Sequence, residues 1–225
     1  QERFASLGIA SEAIPGSSAT AKGTLAFDSG ALVLRDVGAA LGTGGLQMQL
    51  AGRLDNLSRF DDADLRISLQ GASLADTVAL LPAPGPVAFA ETPFKLSGRL
   101  QLLEKQLALD DVVFQAGAGE LRGSFASNIK PLFMSGRVTL SGAGPELAEW
   151  VRVSADLEDS RLPFRVDAAL HWQDTLFGVD QLSLGLGDGS LDMAGTLDPR
   201  NSTELTNMNV ALQLPSLRRL APVAG

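Results

Sequence analysis

A chain of 225 residues with 45% hydrophobic side chains is too apolar to stay disordered, yet only 5% is aromatic and no apolar run reaches the roughly 18 residues of a membrane-spanning helix. The formal net charge of -8, with its 18 basic residues scattered, argues against a nucleic-acid partner and against electrostatic recruitment to an anionic membrane surface. The absence of cysteine excludes disulfides, thiolate zinc sites and cysteine nucleophiles.

In chain order, residues 1–18 alternate weakly and close on the turn Pro15-Gly16-Ser17-Ser18, as the end of a preceding repeat would. No initiator Met, basic segment or apolar leader opens the sequence, so it reads as a piece of a longer protein. Repeat 1, residues 19–91, is predicted to contain strands at 20–27, 31–39, 45–54 and 63–70. A short helix follows, with Ser73 capping its amides, Asp76 at its favourable N-terminal end, and Pro82, Pro84 and Pro86 stopping it. Repeat 2, residues 92–160, restarts at Thr92-Pro93-Phe94 with strands at 94–102, 106–116, 119–126 and 132–141 and a helical turn at 145–153. Repeat 3, residues 161–225, restarts at Leu162-Pro163-Phe164 with strands at 164–172, 176–186, 190–197 and 207–214 and a final short element at 216–220.

The repeat shows most clearly in three Gly-x-Gly-x-Leu stretches beginning at Gly42, Gly117 and Gly187, which are 75 and 70 residues apart (117 minus 42, 187 minus 117). A later glycine recurs at Gly52, Gly123 and Gly195, and a leucine opening each short helical segment recurs at Leu74, Leu147 and Leu217. From the motif leucine to the later glycine is 6, 2 and 4 residues, always an even step. Strand side chains alternate with period two, so even insertions keep the apolar face in place.

That face carries Leu32 and Leu34; Leu65, Ile67 and Leu69; Phe94, Leu96 and Leu100; Leu107 and Leu109; Val138 and Leu140; Phe164 and Val166; Leu182, Leu184 and Leu186; and Met208, Val210 and Leu212. Polar residues such as Asp64, Arg66, Ser68 and Gln70 occupy the alternate positions. About twelve strands of this kind make an apolar surface that three short helices cannot cover. The expected architecture is therefore mainly β: antiparallel strands curled into an open groove, a half-barrel, with short helices between repeats. A closed sandwich or barrel with a dry core is the alternative, since alternation does not say what fills the concave side.

The Pro-Phe openings, the Asp-Val or Asp-Gln-Leu strand starts at Asp36-Val37, Asp111-Val112 and Asp180-Gln181-Leu182, the Gly-x-Gly-x-Leu turns and the Leu80-Leu81-Pro82 helix stop together resemble the AsmA-like family of bacterial envelope proteins. These are relatives of bridge-like lipid transfer proteins built from repeating β-groove modules. The resemblance implies a periplasmic rod, anchored in the inner membrane by a segment absent from this chain, along which phospholipids move toward the outer membrane. It implies phospholipid acyl chains as partners, lying on the twenty apolar residues named above, and other envelope proteins at the ends of the rod. Repeat 1 departs from the pattern, with Thr20-Ala21-Lys22 in place of Pro-Phe.

No enzyme constellation stands beside this reading, and no metal or cofactor is expected. The single His171, beside Trp172, has no serine or acid placed near it by any motif. The pairs Asp61-Asp62 and Asp110-Asp111 read as turn residues. The Gly-x-Gly-x-Leu stretches lead into strands, so no helix N-terminus awaits a pyrophosphate. A second function class, a scaffold taking up polypeptide strands along a sheet edge, remains open at this level.

Overall fold

In a computed structural model the described residues are 3–11, 19–28, 31–41, 45–55, 62–79, 88–103, 105–129, 134–152, 162–174, 176–198 and 207–214. They form one 13-stranded sheet whose order in space is the order in sequence, every neighbouring pair antiparallel. After β1 (Arg3–Ser11), repeat 1 supplies β2 (Ala19–Asp28), β3 (Ala31–Leu41), β4 (Leu46–Asp55), β5 (Asp62–Gly71) and the helix α1 (Leu74–Ala79). Repeat 2 supplies β6 (Phe94–Leu103), β7 (Gln106–Ala116), β8 (Gly119–Asn128), β9 (Ser135–Gly144) and a 3-10 turn at Leu147–Glu149. Repeat 3 supplies β10 (Phe164–Gln173), β11 (Leu176–Leu186), β12 (Gly189–Leu197) and β13 (Asn209–Gln213). The expected helical segment at 216–220 lies outside the described residues, as do Gly42 and Leu217.

Within repeats, short connections favour pairing of each strand with its predecessor. Ala116 pairs with Gly119 and Leu186 with Gly189, so only Gly117-Ala118 and Gly187-Asp188 separate the strands. Both leading glycines have positive φ, +55° and +56°, the conformation a hairpin of this length needs at its first central position.

The second strand of every repeat bulges at its aspartate. Leu34 pairs with Gly52 but Val37 with Leu50; Leu109 pairs with Phe125 but Val112 with Gly123; Val179 pairs with Gly195 but Leu182 with Met193. The extra residue falls at Asp36, Asp111 and Asp180, which sequence alone placed at strand starts. They sit mid-strand instead, because aspartate tolerates the irregular backbone of a bulge: Asp111 has φ +52°. A bulge strengthens local twist and bends the strand, so three at matching places curl the sheet.

The recurring glycines serve this curl in two ways. Gly52 and Gly195 pair before the bulge, with φ +148° and +143°, and a Cβ on either would lie 2.1 Å from the carbonyl oxygen of Asp64 or Asn207. Gly123 stands on the other side of the bulge, opposite Val112, where a Cβ would meet the Thr139 carbonyl at 2.3 Å. The three are thus not one position, although their even spacing keeps all of them on the apolar face.

The sheet stays open. Among the described residues no large side chain is fully buried, which a closed sandwich or barrel would require. Replacing Gly52 by Ala is expected to cost about 1–3 kcal/mol in urea unfolding, through positive φ and the blocked carbonyl. Gly38→Ala on β3, whose Cβ would approach nothing closer than 3.9 Å, is expected to be neutral or slightly stabilising.

Candidate functional site: an apolar trough on one face of the sheet

Register places the predicted floor residues on one face. Leu34 abuts Gly52, which pairs with Leu65; Leu65 pairs with Leu100, and Leu100 with Leu109. Further along, Leu140 pairs with Ala168 and Ala168 with Leu182, while Leu191 joins Leu184 to Leu212 and Met193 joins Leu182 to Val210. Leu32, Ile67, Leu69, Phe94, Leu96, Leu107, Val138, Phe164, Val166 and Leu186 fall on the same face by the period of two, and Met208 immediately precedes β13.

Alternation did not reveal the residues beyond the bulges of β3 and β7, where parity resets. Val37, Val112 and Phe114 belong to this floor although they are out of phase with Leu34 and Leu109. Met48, Leu50, Leu121, Phe125 and Trp172 also line it, paired with or beside the predicted set.

One rim of the floor is closed by the segments between repeats. Leu74, Val78 and Phe89 from the first and Leu147, Trp150 and Val151 from the second pack with Leu46, Phe94, Ala116 and Phe164 into the main buried cluster. Asp76 N donates to Ser73 Oγ at 3.1 Å, the cap expected for α1. The predicted turn at 145–153 shrinks to three residues of 3-10 helix because Trp150 inserts edge-on between Phe114 and Phe164, at centroid distances of 5.1 and 5.4 Å. Its indole lies over Gly119, where a Cβ would come within 2.5 Å of Nε1.

The two segments also join each other. Ala90 N donates to Trp150 O at 3.2 Å and Arg152 N to Ala88 O at 2.8 Å, flanking an antiparallel bridge between Phe89 and Val151. A continuous belt thus runs along this rim across the repeat boundary. The opposite rim has no such belt among the described residues. Phe27, opposite floor residue Leu32, is exposed along it, and the floor opens toward β13, where Val210 and Leu212 are 58% and 60% exposed against 4% for Phe94.

The other face is polar and charged. A concavity of about 1420 Å³ on it spans β3 to β7. There Arg99 grips Asp64 with two hydrogen bonds, Nε to Oδ1 at 2.7 Å and Nη2 to Oδ2 at 2.5 Å. The hydrogen bonds from Arg99 outweigh the opposing effect of burial and, with the charges of Arg99 and Arg66, hold the Asp64 carboxyl below the usual carboxylate range. His171 is also here, half exposed, with Nδ1 3.1 Å from the Asp180 carboxylate; its ring covers Gly178, and no serine joins the pair in any hydrogen bond of the described residues. Asp110 pairs with Arg99 across the strands and Asp62 pairs with Asp55 at a strand end, while Asp61 lies outside the described residues.

No family model, curated protein or solved structure matches the chain.

Because the folded carboxyl of Asp64 titrates lower than an unfolded one, its contribution to stability is complete above the ordinary carboxylate range and disappears as pH falls through the folded value. Denaturant unfolding of Asp64→Asn is expected to show a small loss against the parent at neutral pH that vanishes in strong acid. A difference independent of pH would show that the charge of Asp64 contributes nothing.

Proposed function

We propose that this chain is a non-enzymatic lipid-binding groove segment of an AsmA-like protein, carrying phospholipid between inner and outer membranes and so supporting outer-membrane biogenesis. The observation that supports this is a single apolar floor, continuous over three repeats, belted along one rim and, among the described residues, uncovered along the other. An exposed apolar surface of this extent needs an apolar occupant. A flexible acyl chain suits it better than a rigid ligand, because no described residue walls off an end of the floor and apolar side chains recur from strand to strand.

Each methylene buried is worth roughly 0.8 kcal/mol, so eight of them offer about 6 kcal/mol before the cost of ordering the chain. The gain is spread evenly along the floor, so a lipid can move from strand to strand without leaving a deep well. Head groups stay in water at the open rim. No residue acts as a catalyst in this reading, and the setting is the periplasm, with the inner-membrane anchor supplied by sequence outside this chain.

A scaffold for polypeptide strands is the second reading. It is favoured by β13, an edge strand whose five residues are all exposed and whose outer backbone is free to pair among the described residues.

Native mass spectrometry of the 225-residue chain expressed in a bacterial periplasm is expected to show bound phospholipid, at one or more per chain. Ile67→Asp and Leu184→Asp each place a charge on the floor and are expected to strip that lipid and to block its transfer in cells, with little loss of expression. Bound lipid and transfer unaffected by both changes would defeat the proposal; a copurifying peptide on the sheet edge would favour the scaffold.

A further inference from the structure

A row of arginines crosses the polar face within the concavity that spans β3 to β7. Gly52 pairs with Leu34 and Leu50 with Val37, so Arg35 and Asp36 both stand opposite Ala51 at the β3 bulge. Ala51 pairs with Arg66, and Arg66 pairs with Arg99. Arg35, Ala51, Arg66 and Arg99 all line the 1420 Å³ concavity. Like charges directly opposite on neighbouring strands repel, and such a pair persists only where something compensates.

Four carboxylates, Asp55, Asp62, Asp64 and Asp111, line the same concavity as Arg35, Arg53, Arg66 and Arg99, but they are not shared evenly. Arg99 turns to Asp64, which it holds with both branches of its guanidinium, and Arg53 is joined to Asp55 at 2.7 Å. Of the other carboxylates lining the concavity, Asp111 lies at the β7 bulge beside Arg99, whose charge it favours, and Asp62 lies at the far end of β5 opposite Leu103. Arg35 and Arg66 make no hydrogen bond or ion pair among the described residues, and both are exposed. Their strands are separated by β4, about 10 Å from backbone to backbone, and the β4 residue between them is Ala51, whose side chain is a single methyl group. Two guanidinium forks on either side of such a residue can converge on one tetrahedral oxyanion, each giving two parallel N–H donors.

The row is particular to this part of the sheet. Continued across the later repeats it reads Asp110, Ser124, Thr139, Ala169 and Gln181, with the Ser124 and Thr139 hydroxyls bonded to each other at 2.7 Å. A device needed to hold each repeat together would recur in all three, and this one does not.

We propose that Arg35 and Arg66 form a binding site for a phosphate-bearing anion, seated over Ala51 on the polar face and separate from the apolar trough. The chemistry fits equally the phosphate of a free small molecule and that of a phospholipid head group, and two probes distinguish the sources. The first is inorganic phosphate, followed by titration calorimetry at constant ionic strength on the whole chain. The second is flotation with phosphatidylglycerol vesicles.

Phosphate binding that weakens at least tenfold in Arg35→Ala and Arg66→Ala, but is kept in Arg137→Ala on β9, supports the site with a free anion as its ligand. Vesicle binding lost in the same two variants, without measurable affinity for phosphate, supports it with a head group as its ligand. Thermal melting without phosphate guards against a merely structural role: relieved of repulsion, Arg66→Ala is expected to melt no lower than the parent. Absence of binding in both assays, or equal loss in all three variants, overturns the proposal.

Discussion

The structure depends on a mismatch between the two faces of one sheet. Thirteen antiparallel strands present polar side chains to one side and apolar ones to the other, and the described segments outside the strands are too short to cover the apolar side. In most β proteins a second sheet or a layer of helices meets that need. Here only one short helix, one 3-10 turn and the segments around them are available among the described residues, and they cover a single rim. Curling shelters the middle of the floor without closing it, which is why most floor side chains are half-buried and very few are fully shielded.

Curl and continuity have separate causes. Curl comes from one bulge per repeat, each placed at an aspartate and accommodated by glycines whose missing Cβ lets the next strand's carbonyl approach. Continuity comes from hairpin connections within repeats and, between repeats, from the belt in which residues 88–90 pair with 150–152. Trp150 fastens that belt to the floor by packing on Phe114 and Phe164, aromatic side chains from different repeats. Contacts therefore run mainly between neighbours along the array, as in other repeat architectures.

Much of this was legible in the sequence. Strands such as β5, where Leu65, Ile67 and Leu69 alternate with charged and polar residues, announce both their conformation and their buried face. The glycine-led hairpins and the Ser73 cap were equally plain, because the backbone conformation they need selects their residues. What stayed hidden depends on pairing. A bulge is invisible until a partner strand is aligned, so Val112 and Phe114 fell out of phase with the floor to which they belong. The bridge from Phe89 to Val151 joins residues 62 apart (151 minus 89), and no local pattern announces it. The arginine row likewise comes from four different stretches of chain and exists only once the register is fixed.

The claim that matters most is that the floor around β11 is uncovered in the protein alone and becomes covered by acyl chains. The chain has no cysteine, so a single Leu184→Cys substitution can carry a nitroxide at that point. Its collision rates with a water-soluble relaxing agent and with oxygen can then be compared by electron paramagnetic resonance, with and without added phospholipid. The expected result is free access for the water-soluble agent in lipid-free protein, replaced by high oxygen and low aqueous access once lipid is bound. A label already dry without lipid, or one still bathed in water at saturating phospholipid, would contradict an open trough that takes up lipid.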